Sequence, residues 1–265
     1  MPASVERALL RIPPLSHAAA KLHLMNDETA DLREIASLIS SDPALGGLVL
    51  RLVNSPLFGV RQRVNGILQA VALVGLDRLR VLATTAALRM LIGSTSASAA
   101  LTRCWQHSVA CALIAQDLAA RVGFDEDATY TAGLLHDIGC FAMLSCWPKQ
   151  YSQLLATCSP AQLLAREFES VGVNHPDAGA YLLQKWGLPS ELVAAARHHH
   201  NGGMGRQSAL VELVSRSCAM ADSFGFALTA QAPEDPAGNT LHPPNPEQEP
   251  LWLRIADGIN QLDCL

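Results

Sequence analysis

His136 and Asp137 stand side by side in "GLLHDIGC", directly after an apolar pair, and an imidazole next to a carboxylate is a chelating pair for a divalent cation. More donors of the same kind occur elsewhere: His107, His175, the triplet His198-His199-His200, and Asp222. Each also has an ordinary explanation. A lone inward histidine is more often a satisfied core residue than a ligand, a histidine triplet suits the C-terminal end of a helix dipole, and a single acid can pair with an arginine.

The helices that must carry these residues decide between the two readings. On a helix over about 101–121, His107 shares a stripe with Cys111, Ile114 and Leu118, which points it inward. On 207–224, Asp222 lies roughly 20–40° from Val211 and Cys218, at the edge of the inward face. A helix over 125–137 begins with Asp125, Glu126 and Asp127, which suits its dipole, and ends at His136-Asp137 with Gly139 placed as the residue just past its end. A carboxylate in that last turn calls for a positive neighbour. His175 opens the helix 175–186 behind the cap Asn174 and before Pro176, and the triplet closes 190–200. Five helices thus each deliver an imidazole or carboxylate, and convergence on a cation offsets the cost of burying them.

The rest of the chain sets the frame. With 265 residues, 49% apolar content, 5% aromatics and almost no alternating β-branched runs, the fold class is all-α. Helical pattern fills 31–40, 43–54, 66–76 and 76–91, where Pro43 sits at a first turn, and "GSTSASAA" at 93–100 reads as a connector. Helix 161–170 completes the second part. Residues 231–250 hold six prolines and few apolar side chains, a linker, before a short amphipathic tail over 251–265. Four regions follow: 1–95, 96–230, 231–250 and 251–265. Seven cysteines at 104, 111, 140, 146, 158, 218 and 264, with no Cys-x-x-Cys pair, suggest neither a zinc ribbon nor a disulfide framework and fit reduced thiols. No apolar run is long enough to span a bilayer and the N-terminus lacks a signal-peptide pattern, so a soluble cytoplasmic protein with no membrane partner is expected.

Net charge is −5, divided as +3 over residues 1–95 (ten Lys/Arg, seven Asp/Glu) and −8 over the remainder (nine against seventeen). An acidic chain is a poor general binder of phosphate backbones. A helix-turn-helix over 33–53 would offer one basic side chain where a recognition helix needs several polar ones, so DNA is not an expected partner.

"IPPLSHAAAKLHLMND", "ISSDPALGGLVLRLVNSPLFG", "ILQAVALVGLDRLRVL", "WQHSVACALIAQDLA", "TAGLLHDIG" and "EFESVGVNHPDAGAYLLQKWGLPSELVAAARHHH" resemble, in order over about residues 8–203, the HDOD domain, a bacterial signalling output module related to HD and HD-GYP metal-dependent phosphohydrolases. The resemblance implies that an N-terminal helical part packs on an HD-like helical bundle. It also implies a metal set of His107, His136, Asp137, His175, His199, His200 and Asp222, holding one or two divalent ions, with iron or manganese suited to N/O donors. Two departures stand against catalysis. Catalytic HD-GYP relatives place a lysine after "HDIG", where this chain has Cys140, and there is no GYP motif.

The expected function is therefore a regulatory, protein-binding signalling module with an HD-type metal site. Arg51, Arg61, Arg63, Arg78 and Arg80, near "NSPLFG", are the candidate patch for a signalling protein or a nucleotide phosphate, although a solvated helix face would look the same. The alternative is a phosphohydrolase or phosphodiesterase acting on a nucleotide or cyclic dinucleotide, with Asp137 bridging two ions.

Overall fold

In the computed structural model, residues 1–25, 29–58, 60, 62–93, 98–200, 208–230 and 248–263 are described. Among them there is no strand. The helices in chain order are α1 (Ala3–Leu9), α2 (His17–Leu22), α3 (Leu32–Ser40), α4 (Pro43–Val53), α5 (Ile67–Gly93), α6 (Ala99–Val122), α7 (Glu126–Leu135), α8 (Ile138–Cys146), α9 (Pro148–Thr157), α10 (Pro160–Val171), α11 (His175–Lys185), α12 (Ser190–His198), α13 (Ala209–Ser223) and α14 (Glu249–Asp263).

Side-chain caps start many of them where the sequence supplies a short polar residue. Asp31 accepts from Arg33 N, Asp42 from Leu45 N ahead of Pro43, Ser98 from Leu101 N, Asp125 from Asp127 N and Ala128 N, and Asn174 from Asp177 N. Each bond satisfies an N–H that the helix itself leaves unpaired. Gly123, at φ 69°, ends α6 in the left-handed conformation. The patterns 66–76 and 76–91 form one run, α5, broken at Gly75, whose φ of 75° and ψ of 175° no helix contains.

One hydrophobic core spans both parts of the chain. It runs from Leu22, Ile35 and Leu52 through Leu79 and Leu82 of α5 to Trp105 and Ile114 of α6 and Leu134 of α7. Arg78 adds a polar clamp, its Nη1 lying 2.7 Å from Asp127 Oδ1 at the start of α7. The tail helix, α14, is part of the same core through Ile255, Ile259 and Leu262, and Trp105 Nε1 donates to Asp263 Oδ1 at 2.7 Å. The first helix behaves differently from the rest of its region. Val5 and Leu9 of α1 pack in a second cluster with Ala142 of α8 and Ala178 and Leu182 of α11, on the bundle. The 94–97 part of the connector and the 231–247 part of the linker lie outside the described residues.

Two helices between 138 and 157 were not expected from periodicity. Helix α7 stops at Leu135 and α8 begins at Ile138, so Gly139 is a helical residue and not a post-helix stop. A Cβ at Gly139 would run into the backbone carbonyl of His175, and one at Gly179 would lie 3.0 Å from Gly139 N. The two glycines therefore let α8 and α11 meet backbone to backbone. Gly133 does the same for α7 on α6, where a Cβ would lie 2.9 Å from Ala112 Cα. These contacts bring His107 of α6, His136 at the end of α7 and His175 of α11 around the α7–α8 junction.

Candidate metal centre

Asp137 occupies the junction between α7 and α8. Its side chain makes no cap bond, although an aspartate in that place normally accepts from the following helix. Instead the carboxylate is fully buried and faces four imidazoles: Oδ1 lies 3.2 Å from His199 Nε2 and 3.3 Å from His175 Nε2, and Oδ2 lies 3.3 Å from His136 Nε2 and 3.4 Å from His107 Nε2.

The other nitrogen of each ring is committed. His136 Nδ1 meets Gly133 O at 2.6 Å, His199 Nδ1 meets Ala196 O at 2.8 Å, and His107 Nδ1 meets Phe226 O at 2.7 Å. His175 Nδ1 meets both oxygens of Glu167 at 2.9 Å. Carbonyls and carboxylates only accept, so every Nδ1 is the N–H and every Nε2 of a neutral ring turns a lone pair inward. Lone pairs then face the lone pairs of Asp137. Both Asp137 oxygens, His136 Nε2 and His199 Nε2 are buried without a hydrogen-bond partner. Spacings of 3.2–3.4 Å exceed the ~2.7–2.9 Å of charge-assisted bonds. They match the distance between donors that share one ion at bonds of about 2.0–2.2 Å. The residues present fit a divalent metal.

The donors divide into two groups about Asp137. Asp137, His175, His199 and His200 bring their ligand atoms within 4.8 Å of one another, and His107, Cys111, His136 and Cys218 do so as well. His200, the exposed member, places Nε2 2.9 Å from His175 Nε2. Burial raises Asp137, but the neighbouring imidazoliums of His136 and His175 outweigh it and hold the carboxyl well below its usual range. Burial likewise lowers His107, and the surrounding anionic groups overcome it to raise the ring to about 9. Protons thus compete with metal for the same positions.

Asp222 stands apart from its expected place. Its Oδ1 lies 3.6 Å from His107 Nδ1, on the outer side of that ring, because α13 turns Cys218 rather than Asp222 toward Nε2. Burial pushes its carboxyl up to about 7. Glu167 was not among the expected site residues. It is fully buried and accepts from His175 N at 2.9 Å, from His175 Nδ1 and from Tyr151 Oη at 2.6 Å. Cys140 lies in this network, its Sγ 3.2 Å from Tyr151 Oη, so the position after "HDIG" is a buried thiol beside Glu167.

The arginines separate. Arg80 donates to Leu22 O and Met25 O at 2.9 and 2.6 Å and pairs with Asp77, and Arg78 is clamped to Asp127, so both tie elements of the chain together. Arg51 and Arg63 line an open cleft of about 740 Å³ with Asn54, Val60 and Asn65. Arg61 lies outside the described residues.

Fold and site define a class: all-helical proteins with a His/Asp donor cluster buried at a helix junction. The chain belongs to the HDOD domain family, which it matches over residues 12–202. It is 29% identical over 205 residues to an uncharacterised protein of Treponema pallidum, a match that covers 75% of this chain but 39% of that protein. In structure it is similar to an HDOD domain protein of unknown function from Geobacter sulfurreducens (24% identity, TM-score 0.71, 97% of this chain and 88% of that one). It is also similar to a candidate phosphohydrolase from Shewanella amazonensis (23% identity, TM-score 0.72, 98% and 97%). At these identities the structural likeness concerns the fold. Among the described residues, no single helix is long and apolar enough to cross a membrane.

Proposed function

We propose that the chain is a signal-transduction output module that works by binding a regulatory protein, and that its buried centre holds divalent metal for structure more than for turnover. The observation that carries this reading is the size of the space beside the donors. The cavity bordered by His107, His175, His200, Cys218 and Asp222 has a volume of about 20 Å³. That is room for a water molecule, which needs ~10–15 Å³, and far below the ~300 Å³ at which small-molecule sites begin. Leu163 and Leu164 of α10 and Leu228 and Thr229 border it, and among the described residues neither lysine nor arginine lines it. A phosphate ester would find no cation among the described residues there, although stabilising developing charge is the main task in such reactions.

The second reading, a metal-dependent phosphohydrolase acting on a nucleotide or cyclic dinucleotide, is favoured by one specific observation: Asp137 offers an unpartnered oxygen to each of two donor groups. Bound metal would supply a hydroxide at neutral pH, because it lowers the pKa of coordinated water to about 7. Asp137 would hold the ions, and Glu167 would fix the His175 ring. The likeness to a candidate phosphohydrolase supports this reading to the extent that the fold is shared. Partner contact is assigned to the Arg51 and Arg63 cleft, which suits an acidic protein surface.

Elemental analysis of protein purified without chelator, followed by hydrolysis assays on phosphodiesters and cyclic dinucleotides with added Mn²⁺ or Fe²⁺, tests the choice. Metal without turnover is the expected result. Metal-dependent turnover that is lost in Asp137→Asn would replace the regulatory reading with the hydrolase.

A further inference from the structure

One end of the centre carries sulfur. Cys111 Sγ lies 3.4 Å and Cys218 Sγ 3.6 Å from His107 Nε2. With His136 Nε2, these atoms form a group whose members all lie within 4.8 Å of one another, every one of them buried. Cys111 follows His107 by one helical turn on α6, and Cys218 comes from α13 across the bundle. Both rings are oriented by their Nδ1 bonds to Phe226 O and Gly133 O, and His136 Nε2 has no hydrogen-bond partner.

Two thiols on inward helix faces could simply be small apolar packing. The distances fit ligation as well as an S–H···N hydrogen bond, and the buried, unpartnered His136 Nε2 in the same group favours ligation. Around a tetrahedral zinc with Zn–N of about 2.0–2.1 Å and Zn–S of about 2.3 Å, neighbouring N and S atoms lie ~3.6 Å apart by geometry. The observed 3.4 and 3.6 Å fall at that value. At the same end, the carboxylate expected to serve, Asp222, reaches only the outer nitrogen of His107.

We propose that His107, Cys111, His136 and Cys218 form a thiolate–imidazole zinc site, closed to substrate, while Asp137, His175, His199 and His200 form a separate nitrogen–oxygen site. The inference rests on the reading of this cluster as a metal centre, and sharpens it by assigning the two ends to different chemical classes of ion. On binding, each thiol that ligates gives its proton to solvent and no electron is transferred. Two imidazoles and two thiolates make four protein ligands, one more than a catalytic zinc site has, so the position that water or substrate takes there is filled.

The test uses the full chain, reduced and loaded with Co²⁺ as a spectroscopic substitute for zinc. The wild-type protein should show thiolate-to-cobalt charge-transfer absorption in the near ultraviolet, and the Cys111→Ser/Cys218→Ser double variant should lose that band and one equivalent of metal. X-ray absorption at the zinc edge of the unaltered protein should find sulfur neighbours at about 2.3 Å, and it reads the site even if the double variant fails to fold. Metal bound with nitrogen and oxygen neighbours only, or a disulfide between the two cysteines in the metal-loaded protein, would overturn the thiolate site and leave the metal centre standing. Protein that takes up no metal would overturn both.

Discussion

Around α3, α4 and the first half of α5 the interior is aliphatic: Ile35, Ile39, Leu45, Val49 and Leu52 are fully buried, and among the described residues no buried side-chain polar atom before Arg89 lacks a partner. Between α6, α7, α11 and α12 the side chains are as fully buried, yet four imidazoles and a carboxylate lie there with four of their inward atoms unpartnered. The first interior is complete as a folded chain. The second becomes complete only when cations, protons or metal, stand between its donors. The N-terminal part is therefore built for shape, and the bundle carries a site at some expense to its own stability.

Substitutions should separate the two regions. The largest effect is expected from Asp137→Asn, which removes the carboxylate of the nitrogen–oxygen group: elemental analysis should show the loss of the equivalent of metal held there, and the part of the melting temperature that responds to chelator should shrink accordingly. Leu52→Ala, in the aliphatic interior, should cost about 2–5 kcal/mol by denaturant unfolding. That loss should be equal with and without chelator, because Leu52 lies outside the donor cluster.

His23 tests a polar group of the N-terminal part. Its Nε2 meets Thr84 Oγ1 at 2.8 Å, and burial, with the nearby Arg80 charge, lowers it to about 4. The unfolded ring titrates near 6.5, so below that pH the unfolded chain takes up a proton that the folded chain refuses. Stability should fall as the pH drops from about 6.5 to about 4. His23→Gln should remove up to about 3 kcal/mol of that fall at ~1.4 kcal/mol per pKa unit, read from unfolding curves across the range.

Glu167→Gln should weaken metal binding about 10–100-fold by competition with a chromophoric chelator, because the carboxylate that orients His175 is lost. An unchanged affinity would reduce Glu167 to a packing role. The smallest effect is expected for Arg78→Ala, whose partly exposed pair with Asp127 should contribute about 0.2–1 kcal/mol.

How much of this could be read in the sequence depends on whether a residue's role is set by its own helix. His107 declared itself as a polar residue on an apolar face, His136 and His199 stood out as part of a His-Asp pair and a histidine triplet at helix ends, and the caps at Asp42, Asp125 and Asn174 follow from local chemistry. Helix α8 left no such trace. It restarts two residues after α7, every residue of 138–144 is buried so no periodicity shows, and Gly139 imitates a helix stop. Glu167 reads as one of two acids in "REFES", and only its contact with His175, across the α10–α11 turn, reveals its purpose. The inward stripes already contained Cys111 and Cys218. Without a paired-cysteine spacing they read as core markers, and the 4-residue steps His107 to Cys111 and Cys218 to Asp222 left open which atom would reach the centre. Helix α13 settles that by turning its cysteine inward and its aspartate to the rim.

The measurement that bears most directly on the central claim is the metal-to-protein ratio of the full chain, purified without chelator and loaded under reducing conditions. At least one tightly held equivalent per chain, with a ratio lowered by about one equivalent in Asp137→Asn, is the predicted result. A wild-type chain that stays metal-free after loading would contradict it, and would leave protons as the cations that hold Asp137 among its four histidines.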